Sequence, residues 1–109
     1  MEKNISDWIS NKITSSDVVL FMKGTPESPQ CGFSSQVVQI LNYLEIDYSS
    51  INVLEDEDIR NGIKEYTNWP TIPQLYVKNE FIGGADIVRE MFEENELKEF
   101  LQEKGIVSK

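Results

Sequence analysis

Residues 18–22, Val-Val-Leu-Phe-Met, form an unbroken apolar run that leaves few folds open to this chain. The run has the length of a strand, and it has no polar residue at alternate positions, so both faces of the strand must be covered. A strand of this kind lies inside a sheet that carries helices on both sides. The remaining segments must therefore supply the helices and strands that surround it.

Apolar residues recur at helical spacing in four other segments, which predicts helices around residues 5–13, 37–44, 59–66 and one or two closing helices over 87–101. The third helix is expected to begin with the acidic residues 55–58, and Gly105 is expected to end the last. Further strands are predicted at 48–53, 73–77 and 81–82, with a turn at 78–80, whereas 23–30 reads as a loop. This order predicts an α/β fold: one domain over residues 1–109, with a central mixed four-stranded sheet flanked by helices on both faces.

The charge and residue counts exclude several classes of function. A net charge of −9 and a pI near 4.4 argue against nucleic-acid binding and against an anionic membrane surface. One cysteine cannot form an internal disulfide, and the lack of histidine excludes a Cys-His pair, a Ser-His-Asp triad and imidazole ligands. We expect a protein of a reducing compartment, the cytoplasm or an organelle matrix after removal of a targeting segment, with no membrane-spanning segment.

Cys31 is the residue most able to carry chemistry. It is predicted to lie in the first turn of a helix, beyond the first strand, where helix N–H groups and the ammonium of Lys23 would lower the pKa of its thiol. Ser34 stands where a Cys-x-x-Cys pair would have its second thiol, so another molecule must resolve any disulfide of Cys31. Alternatively, Cys31 is an inert structural thiol of a non-catalytic binding module, and Ser34 is a helix cap.

Four motifs together resemble the signatures of the monothiol glutaredoxins of the Cys-Gly-Phe-Ser type, in the thioredoxin-like superfamily. They are Lys-Gly-Thr-Pro at 23–26, Cys-Gly-Phe-Ser at 31–34, Asn-Trp-Pro-Thr-Ile-Pro-Gln at 68–74 and Gly-Gly-Ala-Asp at 83–86. They occur in the family's order and at its separations over nearly the whole chain. The resemblance implies the thioredoxin-like fold and a cis peptide bond before Pro73.

The resemblance also implies a glutathione site. Ile72 would hydrogen-bond the cysteinyl part of glutathione through its backbone, Lys23 and Arg60 would bind the glycine carboxylate, and Ala85 and Asp86 would bind the γ-glutamyl end. Lesser candidates are Thr71 and Lys64. Trp69 is expected to pack in the core. Ala85 replaces the cysteine or serine that many members have, so a second thiol is absent there.

Finally, the resemblance implies that Cys31 is both the reactive thiol and the protein ligand of a 2Fe-2S cluster. Two subunits and two glutathione molecules would share the cluster, which a homodimer would deliver to acceptor proteins after receiving it from a scaffold. A BolA-like protein is a further expected partner. The alternative is a glutathione-dependent oxidoreductase that removes glutathione from protein mixed disulfides by a monothiol mechanism.

Overall fold

A computed structural model of the chain describes residues 3–106, in which there are five α-helices and six strands. The helices are α1 (Lys3–Thr14), α2 (Gly32–Tyr43), α3 (Glu57–Thr67), α4 (Ala85–Glu93) and α5 (Glu96–Glu103). The strands are β1 (Val18–Met22), β2 (Gly24–Thr25), β3 (Ser28–Pro29), β4 (Ser49–Asn52), β5 (Gln74–Val77) and β6 (Glu80–Gly83). None of these helices combines the length and the apolar composition that crossing a bilayer requires.

The predicted mixed four-stranded sheet is confirmed, with the strand order β4-β1-β5-β6. Strand β1 pairs in parallel with β4 and antiparallel with β5, and β5 pairs antiparallel with β6. All five residues of β1 are buried. The apolar run at 18–22 therefore lies inside the sheet, as its composition predicted.

Two hydrophobic cores lie on opposite faces of this sheet, because successive residues of β1 point to opposite sides. Val18, Leu20 and Met22 pack with apolar residues of α2, α4 and α5. Val19 and Phe21 pack with apolar residues of α1 and α3. The helices therefore cover both faces, and the carboxyl ends of β1 and β4 share one edge.

The segment between β1 and α2 differs from the predicted loop. Strands β2 and β3 pair antiparallel within it and form a very short hairpin. Gly24 has φ of +90°, which lets the chain turn sharply after β1. Its two prolines and its glycine interrupt regular structure, but they do not prevent this local pairing.

Helix α3 begins later than predicted and presents a narrower apolar face. Asp56 is its N-cap, with Oδ1 accepting a hydrogen bond of 2.9 Å from the backbone N–H of Asp58. Glu55 belongs to a preceding 3-10 turn, Val53–Glu55. Tyr66, expected on the apolar face, is 39% exposed, whereas Ile63 is fully buried. The helix uses fewer apolar residues than its spacing suggested.

The remaining sequence predictions about turns are confirmed with small shifts. Lys78 and Asn79 both have positive φ, which is the geometry of a tight two-residue hairpin turn, so the turn is one residue shorter than predicted. Gly105 has φ of +79° and follows Lys104, the C-cap of α5. The backbone N–H of Ile106 donates to the carbonyl of Leu101 and closes that end.

Candidate functional site

Cys31 lies at the N-cap position of α2, with the extended backbone angles φ −156° and ψ 135°. Its thiol is partly exposed, and it is located beyond the carboxyl end of β1, as the sequence predicted. The N–H groups in the first turn of a helix have no partners within the helix. The thiol therefore faces the positive end of the backbone dipole.

The surroundings of Cys31 lower the pKa of its thiol below the ordinary value. Desolvation by partial burial acts in the opposite direction and is the largest single influence. The backbone N–H groups of Ser34 and Phe33, the positive charge of Lys23 and the Ser34 hydroxyl together outweigh it. The thiolate is thus stabilised by the groups that the sequence named, the helix start and Lys23.

Lys23 is held beside Cys31 by hydrogen bonds to its backbone and to that of its neighbour. The backbone N–H of Lys23 donates to Ser34 Oγ at 3.1 Å, and its carbonyl accepts from the N–H of Gln30 at 2.9 Å. The N–H of Gly24 donates to Asn52 Oδ1, also at 2.9 Å. Ser34 is therefore not the helix cap that one interpretation expected, because Cys31 occupies the N-cap position. Ser34 is fully buried, and its hydroxyl connects α2 to the backbone directly after β1.

The segment 69–73 lies beside Cys31 and contains the expected cis peptide bond between Ile72 and Pro73. It packs closely on Gly84, because a Cβ atom there would lie 3.3 Å from the carbonyl oxygen of Pro73 and 3.4 Å from Trp69 Nε1. The ring of Trp69 contacts that of Phe81, with centroids 5.5 Å apart. Trp69 is only half-buried, so the expectation that it packs fully in the core was wrong in part. It also lines the cavity next to Cys31.

The start of α4 forms another part of the same region. Gly84 is its N-cap, and Ala85 and Asp86 are its first residues. Asp86 is exposed and lies 3.5 Å from the guanidinium of Arg89. The first N–H groups of this helix can donate hydrogen bonds to a carboxylate of a ligand, whereas the carboxylate of Asp86 can accept from an ammonium group.

These elements surround an open cavity of about 360 Å³. It brings together most of the residues predicted for the site, namely Lys23, Cys31, Lys64, Thr71, Ile72, Ala85 and Asp86. Arg60 is not among the lining residues. It lies one turn before Lys64 on α3, and its buried Nε has no hydrogen-bond partner within residues 3–106. Its role in binding stays a prediction.

The cavity has further lining residues that sequence reasoning did not assign to the site: Phe33, Trp69, Pro70, Pro73, Gly84 and Ile87. Phe33 is 57% exposed although it is a large apolar side chain. The sequence offered one signal for this role: Phe33 lies two residues after Cys31 and precedes all the buried residues of α2. Ile87 was assigned only to a helix face, because periodicity does not distinguish a core from a cavity wall.

Because the pKa of the Cys31 thiol is lowered, its alkylation should remain fast at a lower pH than that of an ordinary thiol. We expect the pH at which the rate reaches half its maximum to lie below that of the same chain in denaturant, because only the thiolate reacts. Replacing Lys23 with methionine should raise this midpoint, since a charge that lowers the pKa is lost. The measurement is the rate of reaction with iodoacetamide as a function of pH.

Lys64→Met is the matched control for this experiment. Lys64 also lines the cavity, but it is not among the groups that lower the pKa of Cys31, so its loss should leave the midpoint unchanged. Equal midpoints for the native and denatured chains would contradict the prediction. That result would instead support the interpretation of Cys31 as a structural thiol.

Comparison with protein families and with curated proteins gives consistent matches. The family model for Glutaredoxin matches residues 18–82. An uncharacterized monothiol glutaredoxin ycf64-like of Synechocystis is 55% identical over 94 residues, which are 86% of this chain and 88% of that protein. A probable monothiol glutaredoxin 2 of Rickettsia typhi is 48% identical over 104 residues, which are 95% and 94% of the two chains.

Solved structures share the architecture described above. The solution structure of a monomeric truncated mutant of Trypanosoma brucei 1-C-Grx1 has a TM-score of 0.87 and 44% identity, covering 95% of this chain and 94% of that one. The crystal structure of a buckwheat glutaredoxin-glutathione complex has a TM-score of 0.83 and 25% identity, covering 97% and 94%. The second of these proteins is seen with glutathione bound.

Proposed function

Because this chain belongs to the glutaredoxin family, in its monothiol group and with the thioredoxin-like fold, we propose that it binds glutathione and carries a 2Fe-2S cluster to acceptor proteins. One observation carries the proposal. Cys31 is a single, partly exposed thiol of lowered pKa, and it faces a cavity that also has Lys23 and the start of α4 in its lining. A thiolate beside a cavity whose lining includes a cation and a helix start suits a small ligand that carries a thiol and carboxylate groups.

The charges around the cavity match the groups of glutathione. Lys23 would bind the glycine carboxylate together with Lys64, and Arg60, one turn earlier on α3, is a further candidate for this carboxylate. The backbone of Ile72 would hydrogen-bond the cysteinyl residue. The N–H groups at Ala85 would receive the γ-glutamyl carboxylate. Asp86 would accept from the γ-glutamyl ammonium, and Thr71 offers a hydroxyl nearby. The buckwheat complex supports this ligand, because that protein is a relative of the same fold.

The cluster would be cargo shared between two copies of the chain. A 2Fe-2S cluster needs four donors, usually thiolates, and this chain has one cysteine and no histidine. In the region 3–106 no group of three or more acidic or cysteine side chains could hold a metal ion. Cys31 from each of two chains and two glutathione thiols would complete the set, so the loaded form would be a homodimer. Two of the four ligands could then dissociate, which suits delivery.

The proposal also includes protein partners that donate the cluster, accept it or bind the loaded form. A scaffold protein would supply the cluster, apo-proteins would accept it, and a BolA-like protein would be a further partner. Phe33 is exposed and lines the cavity with Cys31, so a partner protein that approaches the thiol would also contact this ring.

The second candidate is removal of glutathione from protein mixed disulfides, and the activated, accessible thiol of Cys31 favours it. The Cys31 thiolate would attack the glutathione sulfur, break the mixed disulfide and release the protein thiolate. A glutathione thiolate would then attack the new Cys31 disulfide, which gives glutathione disulfide and regenerates Cys31. Ser34 cannot perform this second step, because a hydroxyl does not exchange with a disulfide.

Anaerobic reconstitution tests the proposal. Incubation with iron, sulfide and glutathione should give a visible absorption band and, in native mass spectrometry, a dimer with one cluster and two glutathione molecules. Omitting glutathione should remove both, because each cluster would lose half its ligands. Absence of the band in the complete mixture, together with rapid turnover in a glutathione-coupled disulfide assay, would refute the carrier function and favour the second candidate.

A further inference from the structure

Gln74 is a fully buried polar residue at the first position of β5, a strand whose other residues are apolar. A buried amide is costly unless it is hydrogen-bonded, so its partners indicate its role. Its Nε2 donates to two backbone carbonyls, that of Trp69 at 3.3 Å and that of Thr71 at 3.2 Å. Both carbonyls belong to the segment 69–73, which forms a wall of the cavity.

Tyr76 fixes the direction of this amide. It is 2% exposed, and its hydroxyl donates to Gln74 Oε1 at 3.2 Å. Because Oε1 accepts from the hydroxyl, Nε2 must point to the opposite side, where the two carbonyls lie. Burial strongly raises the pKa of Tyr76, so its hydroxyl stays protonated and remains a donor.

The same segment is attached at its start to α3. The backbone N–H of Trp69 donates to Thr67 Oγ1 at 3.2 Å, and Thr67 Oγ1 donates to the carbonyl of Ile63 at 2.8 Å. The segment is therefore hydrogen-bonded to α3 through the N–H of Trp69, and to β5 through the carbonyls of Trp69 and Thr71. Neither Gln74 nor Tyr76 lines the cavity, although Trp69 and Thr71 do.

We propose that Gln74 and Tyr76 are positioning residues that hold the segment 69–73 in the conformation that binds glutathione. The inference rests on the glutathione binding proposed above and adds two residues that would never touch the ligand. By drawing the carbonyls of Trp69 and Thr71 towards the sheet, the pair fixes which backbone groups of Ile72 face the cavity. A segment ordered before binding loses less freedom when the ligand arrives.

The test compares glutathione binding by Gln74→Met, Gln74→Glu and Tyr76→Phe with the unsubstituted chain, by isothermal titration calorimetry. We expect Gln74→Met to weaken binding about tenfold, because two hydrogen bonds to the segment are lost. Gln74→Glu should weaken it more, since an acceptor oxygen would then face two carbonyls. Tyr76→Phe should weaken it less, because the amide loses only the bond that orients it.

A spectroscopic measurement reports the segment directly. The chain has two tryptophans, so a Trp8→Phe background leaves Trp69 as the single fluorescent indole. The emission of Trp69 in the glutathione-free protein should shift to longer wavelength in Gln74→Met, because the ring becomes more exposed when its carbonyl is released. An unchanged emission together with unchanged affinity would overturn the inference.

Ile13→Ala is the matched control for a general loss of stability. Ile13 is buried in the same core as Tyr76 but lies on α1, and it is not part of the cavity lining. It should lower the melting temperature and leave glutathione affinity as it is. If its affinity falls as far as that of Gln74→Met, the positioning role is overturned. If the unsubstituted chain does not bind glutathione at all, the proposed function itself fails, and the inference fails with it.

Discussion

Replacing Cys31 with serine is expected to abolish the visible absorption of the reconstituted protein. Each half of the proposed dimer has one thiolate to offer, and a serine hydroxyl stays protonated and is a poor ligand for iron in such a cluster. The fold should persist, because the side chain is partly exposed and the two residues are similar in size. We expect the free energy of unfolding to change by less than about 1 kcal/mol.

The measurement is the visible spectrum after reconstitution, with the far-ultraviolet circular dichroism as a check of folding. Cys31→Ser combined with Ser34→Cys is the matched control, since it moves the thiol by one helical turn into a position that is fully buried. A buried thiol should not restore the cluster. Full absorption in the single serine variant would refute the assignment of Cys31 as the ligand.

The fold was predictable from the sequence where the apolar pattern alone determines burial. The run at 18–22 is apolar at every position, and it proved to be buried on both faces of the sheet. Tyr66 was misassigned because helical spacing shows which residues share a face but not where that face ends. The β2–β3 pairing was missed because a hairpin of two-residue strands has no period to detect.

The candidate site was predictable where the residue type itself carries the chemistry. Cys31, Lys23 and Asp86 bear reactive or charged groups, and all three line the cavity. In the sequence, Gln74 is only the last residue of the motif at 68–74. Its role depends on where its amide points in the folded chain, and that direction is set by Tyr76 across two residues of β5. Sequence patterns describe spacing, whereas the partners of a buried amide follow from tertiary structure.

Gly24 is expected to be the glycine beside the site that tolerates alanine least. Its φ of +90° is strained for any residue with a side chain, and a Cβ atom would lie 2.6 Å from both the backbone nitrogen of Gln30 and the carbonyl oxygen of Ser28. The first atom belongs to the residue that directly follows β3 and the second to β3 itself, so the β2–β3 hairpin must open to make room. We expect Gly24→Ala to lower the free energy of unfolding by about 3 kcal/mol, measured by urea denaturation.

Gly32→Ala is the matched control, because Gly32 also adjoins Cys31 but has open space where a Cβ atom would lie. As the first residue of α2, it should tolerate alanine with a change within about 0.5 kcal/mol, or a small gain. Opening the hairpin should also release Lys23, because the carbonyl of Lys23 accepts a hydrogen bond from the backbone N–H of Gln30. The alkylation midpoint of Cys31 should therefore rise in Gly24→Ala and stay unchanged in Gly32→Ala. Equal stabilities for the two variants would contradict the steric argument at Gly24. Equal alkylation midpoints would show that the hairpin does not hold Lys23 in place.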